Sequence, residues 1–272
     1  MKRILITRPM PKSVISAAHK FFDVEVRQKQ SPMSAAEMRA SLALYDAVIP
    51  TLGDLYAART FKDFSNPRCK ILANFGVGYN HIDIAAAQAA GICVSNTPGA
   101  VTAATADIAL MLILMSCRRA GEGERMVRAS HWEGWNPTQM LGQHVTGKTV
   151  GIIGYGNNGA AFAKKLRGFD VKVMAFDKYK TGFGDHFVQE CTLEAIQEQA
   201  DVLSFHVPQN KETLYYFDSA FLKSMKKPFY LLNLSRGKIV DTKALVEGLS
   251  LGLVKGAGLD VLEFERKSFE SF

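Results

Sequence analysis

Short apolar runs rich in β-branched residues alternate with longer segments of helical periodicity along most of the chain. In the first hundred residues RILITR (3–8) is followed by PKSVISAAHKFF (11–22), and the same succession recurs up to ICVSN (92–96). A second series begins at KTVGIIGYG (148–156) and continues to GAGLDVL (256–262). Strands and helices that alternate in this way predict parallel sheets covered by helices on both faces.

The alternation is interrupted once, between the two series. The segment Asn-Thr-Pro-Gly (96–99) ends the first series, because Pro98 holds the residue before it extended and glycine permits a turn. A long apolar helix is predicted over about 101–120. We therefore predict an α/β chain of two Rossmann-like or flavodoxin-like parallel-sheet domains, residues 1–98 and 99–272, of which the second is the more regular.

Charge and hydropathy narrow the classes of function. The net charge is +7, but the lysines and arginines are scattered, whereas a nucleic-acid footprint needs clustered basic side chains. The most apolar run, IALMLILMSC (108–117), is shorter than the about 20 residues that cross a bilayer, and the N-terminus lacks the apolar core of a signal peptide. We expect a cytoplasmic protein with no nucleic-acid partner and no membrane span.

The cysteines are spaced too far apart for a metal-binding motif. None belongs to a CxxC pair, and none has a histidine at metal-ligand spacing. We expect reduced thiols, no disulfide framework and no metal site. The four residues are Cys69, Cys93, Cys117 and Cys191.

A GxGxxG turn lies directly after a strand-like run and directly before a helix-like one. One glycine makes the tight turn, one lets the backbone approach a pyrophosphate, and one lets helix and strand pack closely. The free N–H groups of the helix then bind phosphate; the alternative is a plain βα turn. The predicted cofactor-binding residues of the turn are Gly154, Gly156, Asn157, Asn158 and Gly159.

Asp177 ends the next strand of this series, where a carboxylate accepts hydrogen bonds from ribose hydroxyls in dinucleotide-binding domains. Its charge would repel a 2′-phosphate, so the residue favours NAD(H). Lys178 and Lys180 follow at once and would tolerate such a phosphate. We therefore predict NAD(H) as the cofactor, with NADP(H) as the alternative.

Several separate motifs follow the order seen in one enzyme family. Once LNLSRGKIVDTKALVEGL (232–249) is read beside the glycine turn, the chain resembles the D-2-hydroxyacid dehydrogenases over nearly its whole length. Within that family, NFGVGYNHID (74–83) and RRAGEGERMVR (118–128) are most similar to the glyoxylate/hydroxypyruvate reductases. The resemblance implies a substrate (catalytic) domain first and an NAD(P)-binding Rossmann domain second.

The resemblance also implies a reaction, which is hydride transfer between the cofactor and a small 2-oxo or 2-hydroxy acid. The backbone N–H groups around Gly76, Val77 and Gly78 would bind the substrate carboxylate. Arg236, in the segment SRG, matches the arginine that orients the carbonyl. Glu265 matches the carboxylate that tunes the family's catalytic histidine, although neighbouring Glu263 is an alternative.

Further residues match positions that line the cofactor in this family. His206 is one of them, and it corresponds to a lining position rather than to a proton donor. Asp260 corresponds to a position near the nicotinamide. The complete set implied by the resemblance is Thr105, His206, Val207, Pro208, Thr213, Leu234, Ser235 and Asp260, in addition to the glycine turn and Asp177.

The resemblance implies a homodimer, and a tryptophan in the segment HWEGWNPTQMLG (131–142) would then reach the active site of the neighbouring subunit. Trp132 and Trp135 are both candidates for this role. Packing at a subunit contact is the alternative for either residue.

Two departures from the family pattern affect these expectations. Asn158 stands where the family has an apolar residue, and a buried amide without partners would cost about 1–3 kcal/mol. Only seven residues, 266–272, follow Glu265, whereas the family has its catalytic histidine and a helix that returns to the first domain beyond this point. We expect either a fragment of a longer enzyme or a natural truncation.

None of the six histidines occupies the catalytic position, and His81, in the substrate loop, is the one to test as a substitute. Its role as a helix cap or a solvated residue is the alternative. We therefore keep two hypotheses, a 2-hydroxyacid dehydrogenase and a catalytically weak or inactive NAD(H)-binding protein. Loss of the histidine removes proton transfer worth about 10²–10⁴-fold in rate.

Overall fold

A computed structural model describes residues 1–64 and 66–265. The chain folds into two compact units, Met1–Val101 and Thr102–Phe272. Each unit is built around one all-parallel sheet. The predicted fold class, α/β with two parallel-sheet domains, is therefore confirmed. The end of the second predicted domain, 266–272, lies outside the described residues.

The first unit contains a five-stranded sheet in the order β2-β1-β3-β4-β5, in which every neighbouring pair is parallel. Its strands are short because the apolar runs that form them are short. The elements are β1 (Arg3–Ile6), α1 (Lys12–His19), β2 (Asp23–Val26), α2 (Ala35–Leu44), β3 (Ala47–Ile49), α3 (Ala58–Phe61), β4 (Ile71–Ala73), α4 (Ile84–Ala89) and β5 (Cys93–Ser95).

One face of this first sheet carries a core of aliphatic and aromatic side chains from the sheet, α2 and the loop before α3. Leu42, Val48, Tyr56 and Leu72 are completely buried in it. Helix α2 begins with a capping box, in which the Ser34 hydroxyl accepts from the Glu37 N–H and the Glu37 carboxylate accepts from the Ser34 N–H.

The second unit contains a six-stranded parallel sheet in the order β11-β10-β9-β6-β7-β8. Strands β6, β7 and β8 extend in one direction from the middle and β9, β10 and β11 in the other, which is the doubly wound order of dinucleotide-binding folds. Its strands are β6 (Thr149–Ile153), β7 (Lys172–Phe176), β8 (Val188–Glu190), β9 (Val202–Phe205), β10 (Phe229–Asn233) and β11 (Val254–Leu259).

Helices cover both faces of the second sheet, so its central strands are buried on both sides. Val150 and Ile152 point into one core and Ile153 into the other, which explains why the run is apolar at consecutive positions. The helices are α5 (Thr102–Cys117), α6 (Ala120–Arg128), α7 (Asn157–Lys165), α8 (Leu193–Gln199), α9 (Ser219–Ser224) and α10 (Thr242–Ser250). Among the described residues, no helix has the length and apolar character needed to traverse a bilayer.

Candidate functional site

The cofactor cleft lies where the order of the second sheet reverses, between the carboxyl ends of β6 and β9. Ligands of doubly wound folds bind at this crevice. The cleft has a volume of about 180 Å³. It is lined by Ile153, Gly154, Gly156, Phe176, Asp177, Lys178, Tyr179, His206, Val207, Pro208, Asn210, Glu212, Thr213 and Tyr216.

The three glycines of the turn differ in their surroundings. Gly154 has φ +92°, and a Cβ there would lie 2.8 Å from the carbonyl carbon and oxygen of His206. A Cβ on Gly159 would overlap the Gly154 carbonyl oxygen, because α7 packs directly on the turn. Gly156 has open space around it. The first and third glycines therefore shape the turn, while the second leaves room for a ligand.

The start of α7 presents unsatisfied donors beside this open space. Within the described part of the chain, the backbone N–H groups of residues 156–159 donate no hydrogen bond. Phosphate binds at such a helix N-terminus through these groups and the helix dipole. A dinucleotide pyrophosphate would fit this turn, and Asn157 is the first residue of α7; its contact with phosphate stays a prediction.

Asn158 is half-buried, and its amide atoms are not among the buried polar atoms that lack a partner in the described residues. The expected energetic penalty of an apolar-to-amide change is therefore not incurred here. A polar residue is tolerated because this side of α7 keeps access to solvent.

Asp177 accepts three backbone hydrogen bonds at the mouth of the cleft. Its Oδ2 accepts from the Tyr155 N–H at 2.8 Å, and its Oδ1 accepts from Tyr179 at 2.9 Å and Lys180 at 3.1 Å. A carboxylate offers about four acceptor positions, so one is left for a ribose hydroxyl. Asp177 therefore fixes the turn as well as facing the cleft.

The two lysines after Asp177 are engaged elsewhere. Lys178 Nζ donates to Glu212 at 2.8 Å, and the Tyr179 hydroxyl donates to the same carboxylate. Lys180 Nζ donates to the Tyr155 carbonyl at 3.3 Å and lies over the Tyr155 ring. Both cations are thus already paired with protein groups. This pairing makes them less available to the 2′-phosphate that distinguishes NADP(H) from NAD(H).

His206 lines the cleft with its ring held by one hydrogen bond. Its Nε2 pairs with the Ser204 hydroxyl at 2.8 Å, while its buried Nδ1 has no partner among the described residues. Burial lowers the pKa of His206 to about 4. The ring is therefore neutral at pH 7.

The loop after β9 is closed by Asn210 and Thr213. Asn210 Oδ1 accepts from the backbone N–H groups of Glu212 at 2.9 Å and Thr213 at 3.0 Å, and the Thr213 hydroxyl donates to the Pro208 carbonyl. Asn210 and Glu212 were not predicted individually. The sequence signal that could have identified Asn210 is an asparagine two and three residues before the N–H groups it binds, the spacing of an Asx turn.

Arg236 follows β10 at the carboxyl edge of the same sheet. Completely buried Asn233 accepts from the Ser235 N–H at 3.1 Å and donates to the Arg236 carbonyl at 2.9 Å, which fixes this turn. The buried Ser235 hydroxyl donates to the Phe205 carbonyl at 2.8 Å. Arg236 Nη1 donates to the Ser235 carbonyl at 2.7 Å, and the side chain is half-buried.

The segment after β11 crosses directly over the turn that carries Arg236. A Cβ on Gly237 would overlap the Leu262 carbonyl, so only glycine fits beneath this segment. Glu263 accepts from the Tyr215 hydroxyl at 2.9 Å and the Thr242 N–H at 3.0 Å. Burial opposes ionisation of Glu263, but these hydrogen bonds lower the pKa below its usual value.

Glu265 is exposed, and its carboxylate accepts from the Leu262 N–H at 3.1 Å. The two glutamates therefore differ. Glu263 fastens the segment to the start of α10, whereas Glu265 projects from it. Asp260, also exposed, follows β11 and donates its N–H to the Asn233 carbonyl at 3.0 Å.

Seven of the predicted cofactor residues lie outside the lining of the cleft, namely Thr105, Asn157, Asn158, Gly159, Leu234, Ser235 and Asp260. Leu234 is buried next to Ser235 in a core of the second unit. Thr105 is half-buried in the first turns of α5. Their roles stay predictions.

The predicted substrate loop belongs to the first unit, where it follows β4. The Gly76 N–H donates to the Asn74 carbonyl at 3.0 Å and is therefore engaged. Val77 and Gly78 donate no backbone hydrogen bond within the described residues. Of the three predicted N–H donors, those of Val77 and Gly78 are therefore the ones available to a substrate carboxylate. His81, a short distance beyond, is buried.

The described residues hold no cluster of His, Cys, Asp or Glu that could bind a metal ion. All four cysteines are free thiols, and burial raises the pKa of Cys69 and of Cys117 to about 11. These two thiols are therefore protonated at neutral pH and do not act as nucleophiles.

Comparison with known proteins agrees with this geometry. The family model for the D-isomer specific 2-hydroxyacid dehydrogenase, NAD binding domain, matches residues 110–271. Glyoxylate reductase of Korarchaeum cryptofilum is 36% identical over 269 residues, a match that covers 97% of this chain and 80% of that protein. Glycerate dehydrogenase of Hyphomicrobium methylovorum is 34% identical over 275 residues, with 100% and 85% covered.

Solved structures agree as well. The crystal structure of a glyoxylate reductase from Paecilomyes thermophila superposes with a TM-score of 0.85 at 26% identity, and the match covers 97% of this chain and 83% of that one. The predicted family resemblance is confirmed. The chain belongs to the D-isomer specific 2-hydroxyacid dehydrogenases, oxidoreductases that act on a CH–OH group with NAD(P).

Proposed function

We propose that the chain reduces a small 2-oxo acid, glyoxylate or hydroxypyruvate, with NADH as the preferred cofactor. The observation that carries the proposal is the open cleft at Gly156, beside the unsatisfied N–H groups that begin α7. The names of the relatives with 34% and 36% identity support the substrate class. NAD(H), when bound, supplies or accepts hydride at its nicotinamide ring.

The protein's own groups have two tasks in this reaction. The N–H groups of Val77 and Gly78 bind the substrate carboxylate. Arg236 orients and polarises the carbonyl through its planar guanidinium, which suits a bidentate contact. Glu265 stands where the family places the carboxylate that tunes its catalytic histidine; because none of the six histidines occupies that position, the proton for the developing alkoxide would come from solvent water.

One observation favours the second candidate, NAD(H) binding with little or no turnover. His206 is the one histidine that lines the described part of the cleft, and burial lowers its pKa to about 4. A histidine that is neutral at pH 7 is a poor proton donor at that pH. Binding without fast reduction is the behaviour expected if no other group delivers the proton.

The test is an assay of NADH oxidation with glyoxylate and with hydroxypyruvate, combined with thermal unfolding in the presence of NADH. The proposal expects turnover that Arg236→Ala abolishes, while the surface variant Arg167→Ala keeps it. Full activity in Arg236→Ala would refute the site. Thermal stabilisation by NADH without turnover would support the second candidate.

We further propose that the protein is cytoplasmic, because free cysteines are typical of a reducing compartment.

We also propose a homodimer. Trp132 and Trp135 are 51% and 81% exposed, an unusual exposure for large aromatic side chains unless a partner covers them. Light scattering should give twice the chain mass, and Trp135→Ser should weaken the association. A monomer at micromolar concentration would contradict the dimer.

A further inference from the structure

The loop after β4 is held by the side-chain amides of two asparagines. Asn74 Nδ2 donates to the Gly76 carbonyl at 3.0 Å and to the Gly78 carbonyl at 2.9 Å. Asn96 Nδ2 donates to the Val77 carbonyl at 2.8 Å. The carbonyls of three consecutive residues therefore accept side-chain hydrogen bonds, and the Gly76 carbonyl accepts in addition from the Thr97 N–H at 3.1 Å.

This arrangement dictates where the backbone donors point. In a trans peptide the C=O and the following N–H lie on opposite sides. The Val77 N–H therefore points away from Asn74, and the Gly78 N–H points away from Asn96. Phe75, Val77 and Tyr79 are 56%, 38% and 51% exposed, so this loop faces solvent and a small anion can approach it.

Asn74 itself is only 2% exposed. Both of its partners are carbonyl oxygens, so the NH₂ group must face them, because two acceptors cannot pair. Its Oδ1 is consequently buried without a partner in the described part of the chain. An unpartnered buried acceptor costs about 1–3 kcal/mol. An apolar side chain would avoid that cost but could not hold the two carbonyls.

We propose that Asn74, assisted by Asn96, is a positioning residue for substrate binding. The Asn74 amide keeps the Val77 N–H turned outward, and the Asn96 amide does the same for the Gly78 N–H, so that both N–H groups bind the carboxylate of a 2-oxo acid. This inference rests on the proposed function, because it assigns the loop to the substrate carboxylate. Neither asparagine contacts the substrate in this account; both act through the loop.

Two substitutions of Asn74 separate positioning from simple packing. Asn74→Leu has a similar volume and removes both the donor and the unpartnered acceptor, so a purely structural role would leave the loop intact. Asn74→Asp keeps the shape but replaces the donor with an acceptor that faces two carbonyls. Asn66→Asp is the matched control, because Asn66 accepts a hydrogen bond from the Lys70 side chain, away from the loop after β4.

The experiment measures calorimetric binding of oxamate, an unreactive 2-oxo acid analogue, to the full 272-residue chain saturated with NADH. We expect both Asn74 variants to weaken oxamate about tenfold, the size of one or two lost hydrogen bonds, with NADH affinity unchanged. Asn96→Ala should weaken oxamate about threefold, since it releases one carbonyl. Asn66→Asp should bind as the wild type does.

The readout specific to positioning is the pair of ¹⁵N–¹H resonances of Val77 and Gly78, which should shift in the Asn74 variants even without oxamate. A folded Asn74→Leu that binds oxamate like the wild type would overturn the proposal. If both Asn74 variants unfold, unchanged binding in Asn96→Ala would overturn it. A wild type that binds NADH but no oxamate would instead refute the proposed function, and the positioning role with it.

Discussion

Two regions of this molecule offer backbone N–H groups to an anion, and they are built on different principles. In the second unit the turn at 154–159 is shaped by missing side chains, because Gly154 and Gly159 sit where a Cβ would meet backbone atoms. In the first unit the loop at 74–78 is shaped by added side-chain bonds from Asn74 and Asn96. Steric exclusion fixes one region and buried polarity the other.

The two regions are therefore sensitive to different substitutions. A turn fixed by sterics fails when atoms are added, whereas a loop fixed by hydrogen bonds fails when polar atoms are removed or changed. The first unit also depends on buried hydrogen bonds at Asp54, which is completely buried. Its carboxylate accepts from the Thr7 hydroxyl at 2.6 Å, the Met33 N–H at 2.9 Å and the Arg8 guanidinium at 2.9 Å.

The largest effect is expected from Gly159→Ala. The added Cβ would overlap the Gly154 carbonyl oxygen, and such overpacking against backbone should lower the free energy of unfolding by about 3 kcal/mol. NADH affinity should fall more than about tenfold, because the donors of α7 are displaced with the turn. Urea unfolding and calorimetry with NADH measure the two effects.

Gly156→Ala is the matched variant within the same turn, since nothing lies near its added Cβ in the protein. It should leave the unfolding free energy unchanged while weakening NADH, because the methyl group occupies the space left for the pyrophosphate. Equal stability losses in Gly156→Ala and Gly159→Ala would contradict the division of roles among the glycines.

Asp54→Asn should have the next largest effect, this time in the first unit. The substitution leaves the Arg8 guanidinium, whose side chain is 11% exposed, without its counter-charge. Removing one partner of a buried ion pair costs about 3 kcal/mol. Hydrogen exchange over residues 1–101 should report faster opening of the first unit, with residues of the second sheet unaffected.

The stability that the Arg8–Asp54 pair contributes should decrease as the pH falls. Burial opposes ionisation of Asp54, but the bonds from Thr7, Met33 and Thr51 and the charge of Arg8 lower its pKa in the folded state. Its stabilisation is present above the unfolded pKa of about 4 and is lost as the pH falls through the folded value. The wild type should lose this stability on acidification, whereas Asp54→Asn should show a smaller loss.

The smallest effect is expected from Glu212→Gln, at the ribose end of the cleft. The change removes a negative charge and releases Lys178, which Glu212 now holds at 2.8 Å. The ratio of NADPH to NADH affinity should rise by a factor of about 2–5, since the pair is exposed and screened. Glu198→Gln, on the exposed side of α8, is the control. An unchanged ratio in Glu212→Gln would show that the Lys178–Glu212 pair does not influence cofactor choice.

Much of this organisation was predictable from sequence, for physical reasons. Strand and helix periodicity predicted both parallel sheets, and the GxGxxG spacing predicted a turn whose geometry depends on local sterics alone. Strand β8 (Val188–Glu190) was missed because, unlike the equally short but apolar β3 and β4, its sequence VQE offers a single apolar residue. Its place at the sheet edge comes from pairing with β7.

The polar side chains that hold the sites were harder to predict. The bond between Asn96 and the Val77 carbonyl joins residues far apart in the chain, and nothing in either segment specifies the other. The contact of Lys178 with Glu212 is of the same kind. Such contacts depend on which strand ends lie at the same sheet edge, so they follow from topology rather than from motif spacing.

Whether both loops bind anions through backbone N–H groups is tested by a ¹⁵N–¹H titration of the whole chain, first with NADH and then with oxamate. NADH should shift the amide resonances of residues 156–159, and oxamate should shift Val77 and Gly78. Gly76 is the internal control, because its N–H already donates to the Asn74 carbonyl. NADH binding that leaves the resonances of residues 156–159 unchanged, or oxamate shifts confined to residues other than Val77 and Gly78, would show that these loops are not the anion sites.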